Sequence, residues 1–261
     1  MNSKKIPLFF VFLILEFLFA FILIKIFSDI SLLDFFLEEN QSEKIKTFYI
    51  IFLYISIISN IYLVDSTNFK LIFSEKNKLP NFFKSWLYGF SILSFYFFIN
   101  IILGFISINS NLDYIFLFET SYKFIFISLF VGIIEELLFR NFIFNNISKD
   151  TSFFKADLIS AYIYAQAHFF NFSLGLKNII LPFIGIFILG RLLNKFYQKE
   201  GLFFSIGFHS SLVFIISVVN ITNFFKIKED YLFLSGGNSP LSGLLGVLFV
   251  FILLQLVKSK K

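Results

Sequence analysis

Long apolar stretches recur along the chain at intervals that fit a set of membrane-spanning helices. A transmembrane helix needs about 20 mostly apolar residues, and a window reading finds eight candidate segments. They are Pro7–Phe27, Phe48–Val64, Trp86–Ile108, Lys123–Ile147, Ala156–Phe172, Ile179–Tyr197, Gly201–Val219 and Leu241–Val257. A membrane barrel would instead alternate apolar and polar residues in segments of about ten. We therefore predict an all-α, polytopic membrane helix bundle of about eight transmembrane helices.

The composition excludes most other classes of protein. Of the 261 residues, 57% are hydrophobic, only 15% are charged and none is cysteine. A soluble domain averages about 25% charged residues and covers its surface with polar groups, so a soluble fold, a disordered chain and a disulfide scaffold are all excluded. Because membrane bundles pack as one unit, we expect a single integral membrane domain over residues 1–261.

The basic residues are divided unevenly between the two sides of the predicted bundle. With the loops numbered alternately from the N-terminus, about two-thirds of the 22 Lys and Arg residues fall on one side. The positive-inside rule then predicts a multi-pass protein with both termini in the cytoplasm, and we expect a bacterial plasma membrane. Anionic lipid accounts for the net charge of +5. The sequence shows no nucleic-acid-binding module, so no nucleic acid is expected as a partner. We expect the lipid bilayer to bind the excess of basic residues.

Ionisable side chains interrupt three of the predicted helices. Glu135, Glu136 and Arg140 lie in the fourth, His168 in the fifth and His209 in the seventh, and these are the only two histidines in the chain. Charged groups within hydrocarbon are costly and usually functional. A single histidine in a membrane helix is often a helix–helix hydrogen bond, but the five residues together favour a site.

Helical geometry separates the roles of the two glutamates. Glu136 and Arg140 are four residues apart, so they share a face and are predicted to pair. Glu135 is rotated by about 100° from Glu136, which leaves its carboxylate for another task. Counting along the helices puts Glu135, His168 and His209 at one depth, roughly 12–18 Å below the cytoplasmic surface. Such a set can deprotonate water and stabilise an oxyanion, which is the equipment for amide hydrolysis without a Ser or Cys nucleophile.

The order and spacing of these residues resemble a known family. Glu-Glu-x-x-x-Arg at Glu135–Arg140, Tyr164-x-x-x-His168 and a later His209 in an apolar helix are similar to the motifs of the CPBP family. This family includes the CAAX prenyl endopeptidases of the Ras-converting type and the bacterial Abi proteins. The resemblance covers residues 120–220, the expected catalytic core. It implies an intramembrane endopeptidase that takes a peptide or protein substrate from the membrane or the cytoplasmic side.

The resemblance also implies a role for each residue. Glu135 and His168 are expected to activate the attacking water. Glu136 and Arg140 are expected to hold the site together, and His209 is expected to help form the oxyanion hole.

The sequence departs from the family pattern at two positions. Tyr164 stands where the second motif usually has Phe, and we interpret it as a packing residue. Val213 stands where the third motif usually has Asn, and its side chain cannot donate a hydrogen bond; Ser210, Ser211 or Asn171 are candidate substitutes. An alternative is therefore a catalytically impaired membrane scaffold or a bacteriocin self-immunity protein of the same fold. A proton- or metal-coupled transporter is a third reading, although neither internal repeats nor broken helices are evident.

The question of a metal stays open at this stage. Members of the family are often labelled metalloproteases, and two His with one Glu can ligate zinc. The chain has no His-Glu-x-x-His pair on a single helix, and a water activated by glutamate needs no metal. We favour a metal-free mechanism and keep zinc as a possibility.

Overall fold

The computed structural model describes residues 4–28, 43–66, 69, 72, 75–168 and 176–257. For residues 17, 19–28, 43–50 and 176–179 it describes only the backbone. Within these ranges the chain is almost wholly helical. The helices are α1 (Lys5–Ser28), α2 (Glu43–Val64), α3 (Lys78–Ile102), α4 (Tyr114–Glu136), α5 (Asn145–Asp150), α6 (Phe153–Ala167), α7 (Leu176–Glu200), α8 (Leu202–Ile221), α9 (Leu232–Ser235) and α10 (Leu244–Leu256). A π-helix, Leu137–Phe144, joins α4 to α5, and two 3₁₀ turns, Glu229–Tyr231 and Pro240–Ser242, flank α9.

The predicted all-α fold is confirmed. Each of the eight predicted segments coincides with at least one helix. By length and composition, three helical stretches among the described residues can cross a membrane, namely Lys78–Ile102, Ile180–Glu200 and Leu202–Ile221, and the apolar stretches Ile51–Val64 and Leu244–Leu256 are shorter. The membrane-embedded character of the chain follows from these helices, while the number of crossings stays a prediction.

The third predicted segment, Trp86–Ile108, was placed too far toward the C-terminus, because its helix begins at Lys78. Its helix, α3, ends at Ile102, and Gly104 then turns the chain with a φ of 71°. Strand β1 (Ile106–Ile108) follows and pairs antiparallel with β2 (Phe225–Ile227), with Ile106 opposite Ile227. This short ribbon, which the hydropathy pattern did not predict, ties the loop after α3 to the loop after α8.

The fourth predicted segment is divided, and its middle is the π-helix. Asp113 begins α4 by accepting hydrogen bonds from the backbone N–H groups of Ile115 and Phe116. After Glu136 the chain widens into the π-helix, all eight residues of which are buried. Such i→i+5 turns occur frequently at functional sites. Here the π-helix contacts α2, α6, α7 and α8 and so links the acid-bearing end of α4 to the rest of the bundle.

Helix α8 is the most buried of the long helices and packs against α3, α4 and α7. Glycines allow the close approach: a Cβ on Gly207 would collide with Phe82 and Ser85 of α3, and one on Gly132 of α4 would collide with Ser210. Small residues at contacts of this kind let membrane helices approach until their backbones nearly touch. The packing therefore fixes the side chains of α8, including His209, against α4.

Candidate active site

The acid pair lies at the junction of α4 and the π-helix. Arg140 Nη1 is 3.1 Å from Glu136 Oε1, so the predicted pairing of these two residues is confirmed. Both side chains are almost completely buried, with 1% and 0% exposure. Two opposite charges at this depth stabilise each other, because an isolated buried charge would be very costly.

Helix α8 brings His209 to the same carboxylate. The ring atom Nδ1 is 2.8 Å from Glu136 Oε1. Because Arg140 already faces this oxygen, Glu136 is the acceptor and Nδ1 carries the hydrogen, which fixes the orientation of the imidazole. The other ring nitrogen, Nε2, then faces Glu135, whose Oε2 is 3.8 Å away.

His168 reaches Glu135 from the end of α6. The prediction that His168 lies inside the fifth helix is wrong by one residue, because α6 ends at Ala167 and His168 is its C-cap. A carbonyl in the last turn of a helix has no intrahelical donor, and His168 Nδ1 lies 2.8 Å from the Tyr164 carbonyl oxygen. Nδ1 therefore donates, and Nε2 points to Glu135 Oε2 at 3.5 Å. We call Glu135, Glu136, Arg140, His168 and His209 together the acid–imidazole cluster.

The cluster has an accessible side and a sealed side. The side chains of Glu135 and His168 are 20% and 30% exposed, whereas those of Glu136, Arg140 and His209 are buried. Within the described part of the chain, Glu135 Oε2 is buried yet accepts no hydrogen bond. Glu135 and His168 are thus the members that a water molecule or a substrate can reach.

Tyr164, which we interpret from the sequence as a packing residue, is buried, and its hydroxyl group also lies at this site. Its hydroxyl oxygen is 3.4 Å from His209 Nε2. Its ring stacks on Arg140, with the guanidinium carbon 4.3 Å from the ring centroid, and Gly190 of α7 lies against the ring edge. The sequence signal was present, because Tyr164 is four residues before His168 and shares its helix face.

An apolar cavity of about 320 Å³ adjoins the cluster between α3, α7, α8 and α10. Tyr164, His168 and His209 line it, and so does Val213. Ser210 and Ser211, two of the predicted substitute donors, are not among its lining residues.

The other contacts of these serines account for their absence from the cavity. The Ser211 hydroxyl donates to the Phe208 carbonyl oxygen at 2.7 Å, and Ser210 faces Gly132. The third candidate, Asn171, lies outside the described residues.

The geometry of the donor set bears on whether a metal binds at this site. Among the residues with described side chains, no three His, Asp or Glu groups are arranged to hold a metal ion. Both imidazole Nδ1 atoms are engaged, one with a backbone carbonyl and one with Glu136, so each ring presents only Nε2 to the site. No metal is therefore assigned to the described residues of this cluster.

A second group of polar residues, which we call the Asp157 network, joins α6 to α7 and was missed from the sequence. Arg191 Nε donates to Asp157 Oδ2 at 2.8 Å. The Asn194 amide donates to Asp157 Oδ1 at 3.0 Å and to the Ser160 hydroxyl oxygen at 2.8 Å. Asp157, Ser160 and Asn194 are buried, and the network borders neither His168 nor the apolar cavity.

Comparison with known proteins gives one match. Residues 117–215 match the model of a family described as type II CAAX prenyl endopeptidase Rce1-like. The matched range contains all five residues of the acid–imidazole cluster, and the predicted resemblance is confirmed. At the level of the family, the match supports a protease. No curated protein and no solved structure matches the chain.

Proposed function

We propose, taking the match of residues 117–215 to Rce1-like endopeptidases as the premise, that this chain is an intramembrane endopeptidase. The observation that carries the proposal is the convergence of one carboxylate oxygen from α4 with two imidazoles, one from α8 and one from the C-cap of α6. Glu135 Oε2 lies 3.5 Å from His168 Nε2 and 3.8 Å from His209 Nε2. The site belongs to a single integral membrane domain.

Glu135 and His168 activate the attacking water. Since His168 donates through Nδ1, its Nε2 is a free acceptor, and it faces a second acceptor in Glu135 Oε2. A water molecule that donates one hydrogen to each is held with its oxygen lone pairs outward, toward the scissile carbonyl carbon. As the water oxygen forms its bond to that carbon, Glu135 takes the proton, which then passes to the departing amine as the C–N bond breaks.

His209 stabilises the charge that develops on the carbonyl oxygen. When Nε2 is protonated, it is a charged donor aimed at the space beside Glu135, and its Nδ1–H stays anchored on Glu136. Arg140 compensates the charge of Glu136 in this buried position. These two residues position His209 without contacting the reacting atoms, and donors fixed in advance cost little reorganisation during the reaction.

The apolar cavity supports a substrate with an apolar group beside the scissile bond. The cavity opens onto Tyr164, His168 and His209, and its other walls are mostly aliphatic and aromatic. A peptide or protein segment enters this site from the membrane or the cytoplasmic side. The charge bias of the loops supports a multi-pass topology with both termini on the cytoplasmic face. We place the protein in a bacterial plasma membrane.

The decisive experiment is a cleavage assay with the full chain in lipid vesicles, using internally quenched peptides that carry an apolar group. We expect Glu135→Gln to lower kcat by about 10³-fold, since a positioned general base contributes about 10²–10⁴-fold. Glu119→Gln is the matched control, because Glu119 lies on the same helix and is exposed. Full activity of Glu135→Gln would refute the proposal.

The same assay after treatment with a metal chelator tests the metal-free mechanism. A loss of activity that added zinc restores would contradict this mechanism.

A second candidate function has its own observation in Val213. This residue lines the cavity beside His209 and supplies no donor, which favours a catalytically impaired scaffold or a bacteriocin self-immunity protein. Protection of cells against a bacteriocin distinguishes the two functions. Protection that survives both Glu135→Gln and His168→Gln would support the non-catalytic role.

A further inference from the structure

We propose that the hydroxyl group of Tyr164 is a catalytic hydrogen-bond donor that forms, with His209 Nε2, a two-donor oxyanion hole. This inference rests on the proposed function and assigns the donor that Val213 does not provide. It replaces the interpretation of Tyr164 as a packing residue with a role at the reacting carbonyl oxygen.

The distance between the two donor atoms suits a shared acceptor. Tyr164 Oη and His209 Nε2 are 3.4 Å apart. An oxygen atom can lie about 2.8 Å from both at once, which is the usual length of such hydrogen bonds. Both residues line the same end of the apolar cavity, so a carbonyl group that enters from the cavity meets both donors together.

Tyr164 is held rigidly on several sides. The Arg140 guanidinium lies over the ring at 4.3 Å, and the rings of Phe139 and His168 make edge contacts with it at 5.0 and 4.5 Å between centroids. Gly190 leaves the space that the ring occupies, because a Cβ there would lie 3.0 Å from Tyr164 Cδ1. A ring that is fixed in this way holds the hydroxyl oxygen in place, so only the hydroxyl hydrogen has to turn when charge develops.

The other polar groups on the cavity wall do not take this role. Tyr96 donates its hydroxyl hydrogen to the Ser235 carbonyl oxygen at 2.7 Å. Ser217 is eight residues beyond His209 on α8, and therefore about 12 Å along the helix axis. His168 uses Nδ1 on a backbone carbonyl and turns Nε2 to Glu135.

The hydrogen bonds rearrange in a simple way when substrate arrives. With neutral His209, Nδ1 donates to Glu136 and Nε2 accepts from the Tyr164 hydroxyl. Once Nε2 takes up a proton from solvent, which it keeps through the reaction, it no longer accepts, and the hydroxyl hydrogen turns to the substrate oxygen. The resting contact therefore keeps the hydroxyl oxygen beside the place where the oxyanion forms.

The test is the Tyr164→Phe variant of the full chain in the vesicle assay. We expect kcat to fall by about 100-fold, as for other single oxyanion donors, while KM and the unfolding temperature change little. Tyr162→Phe is the matched control, because this hydroxyl lies on the exposed side of the same helix and accepts from Gln166. A kcat within threefold of the unsubstituted protein overturns the proposal.

A rescue experiment separates a donor from a structural hydroxyl. Position 213 is four residues after His209 and shares its helix face, so Val213→Asn introduces an amide donor near the same oxygen. We expect Val213→Asn to raise kcat of the Tyr164→Phe variant at least tenfold. A double variant that shows no gain and a lowered unfolding temperature assigns the hydroxyl a structural role and overturns the proposal.

The two proposals fail in distinguishable ways. An inactive Glu135→Gln variant beside a fully active Tyr164→Phe variant refutes only the role of Tyr164. Full activity of Glu135→Gln refutes the endopeptidase function itself, whatever Tyr164→Phe does.

Discussion

The acid–imidazole cluster and the Asp157 network both pair an acidic with a basic side chain between helices. They differ in how many of their buried polar atoms have a hydrogen-bond partner. In the Asp157 network, both carboxylate oxygens accept hydrogen bonds, from Arg191 and from Asn194. In the acid–imidazole cluster, Glu135 Oε2, Glu136 Oε2 and two Arg140 nitrogens form no hydrogen bond with the described residues.

This difference in hydrogen bonding distinguishes a candidate active site from a structural contact between helices. A carboxylate whose two oxygens both accept hydrogen bonds has little left to offer a ligand, and the contribution of Asp157 is to pair α6 with α7. An unsaturated carboxylate beside two imidazoles that line a cavity keeps hydrogen-bonding capacity for water and substrate. Buried polar groups normally find partners, so unsatisfied atoms beside cavity-lining imidazoles are more informative about function than buried charge alone.

The largest effect that separates the two groups is on folding. Asp157→Ala removes the acceptor of Arg191 and one acceptor of the buried Asn194 amide, which keeps its bond to the Ser160 hydroxyl oxygen. We expect it to lower the free energy of unfolding by about 3 kcal/mol, the lower end for a broken buried pair because Arg191 is partly exposed. Denaturation of the protein in detergent measures this loss. Below the unfolding transition, kcat should stay within a few-fold of the unsubstituted protein.

Glu135→Ala should show the opposite behaviour in the same two measurements. Its activity should be lost, whereas its unfolding free energy should change by less than about 1 kcal/mol, because an unsatisfied carboxylate contributes little to stability. If Asp157→Ala abolished hydrolysis without lowering stability, the division into a chemical and a structural cluster would be wrong.

Most features that depend on one segment of the chain were predictable from the sequence, whereas features that depend on contacts between segments were not. The long apolar runs predicted the helices, because a helix that spans a membrane needs about 20 apolar residues. The spacing of Glu136 and Arg140 predicted their ion pair, because residues four apart share a face of a helix. The π-helix after Glu136 was not predictable, since an i→i+5 turn leaves no trace in hydropathy.

The residues that were missed belong to contacts between distant segments. Asp157 and Arg191 lie toward ends of predicted helices, where charges usually face lipid headgroups, so nothing in the sequence indicated that they meet. A role for the Tyr164 hydroxyl could be inferred only from the structure, in which α8 places His209 beside it. Helix packing decides which polar groups from different helices become neighbours, and no pattern within a single helix encodes that choice.

An intermediate effect is expected at Gly190, which lies between the two groups on α7. Gly190→Ala brings a methyl group within 3.0 Å of Tyr164 Cδ1 and 3.2 Å of Ala161 Cα, and the Tyr164 ring must shift. We expect kcat to fall about tenfold, since a displacement near 1 Å can cost up to about 100-fold. Combined with Tyr164→Phe, Gly190→Ala should lower kcat no further, and fully additive losses would show that it acts elsewhere.

The smallest effect is expected for Val213→Asn in the otherwise unsubstituted protein. If Tyr164 already supplies the second donor, an added amide at position 213 has little charge left to stabilise, and kcat/KM should rise by less than about threefold, far below the 10²–10³-fold value of a missing donor. The measurement is the ratio of kcat/KM for the variant and the unsubstituted protein on one peptide. A rise of 100-fold would mean that the oxyanion hole lacks a donor as it stands, and would return Tyr164 to a packing role. A small rise in kcat/KM here, together with a large rescue in the Tyr164→Phe background, would show that the side chains at positions 164 and 213 donate to the same oxygen atom. Only a shared acceptor makes the benefit of one donor depend on the absence of the other.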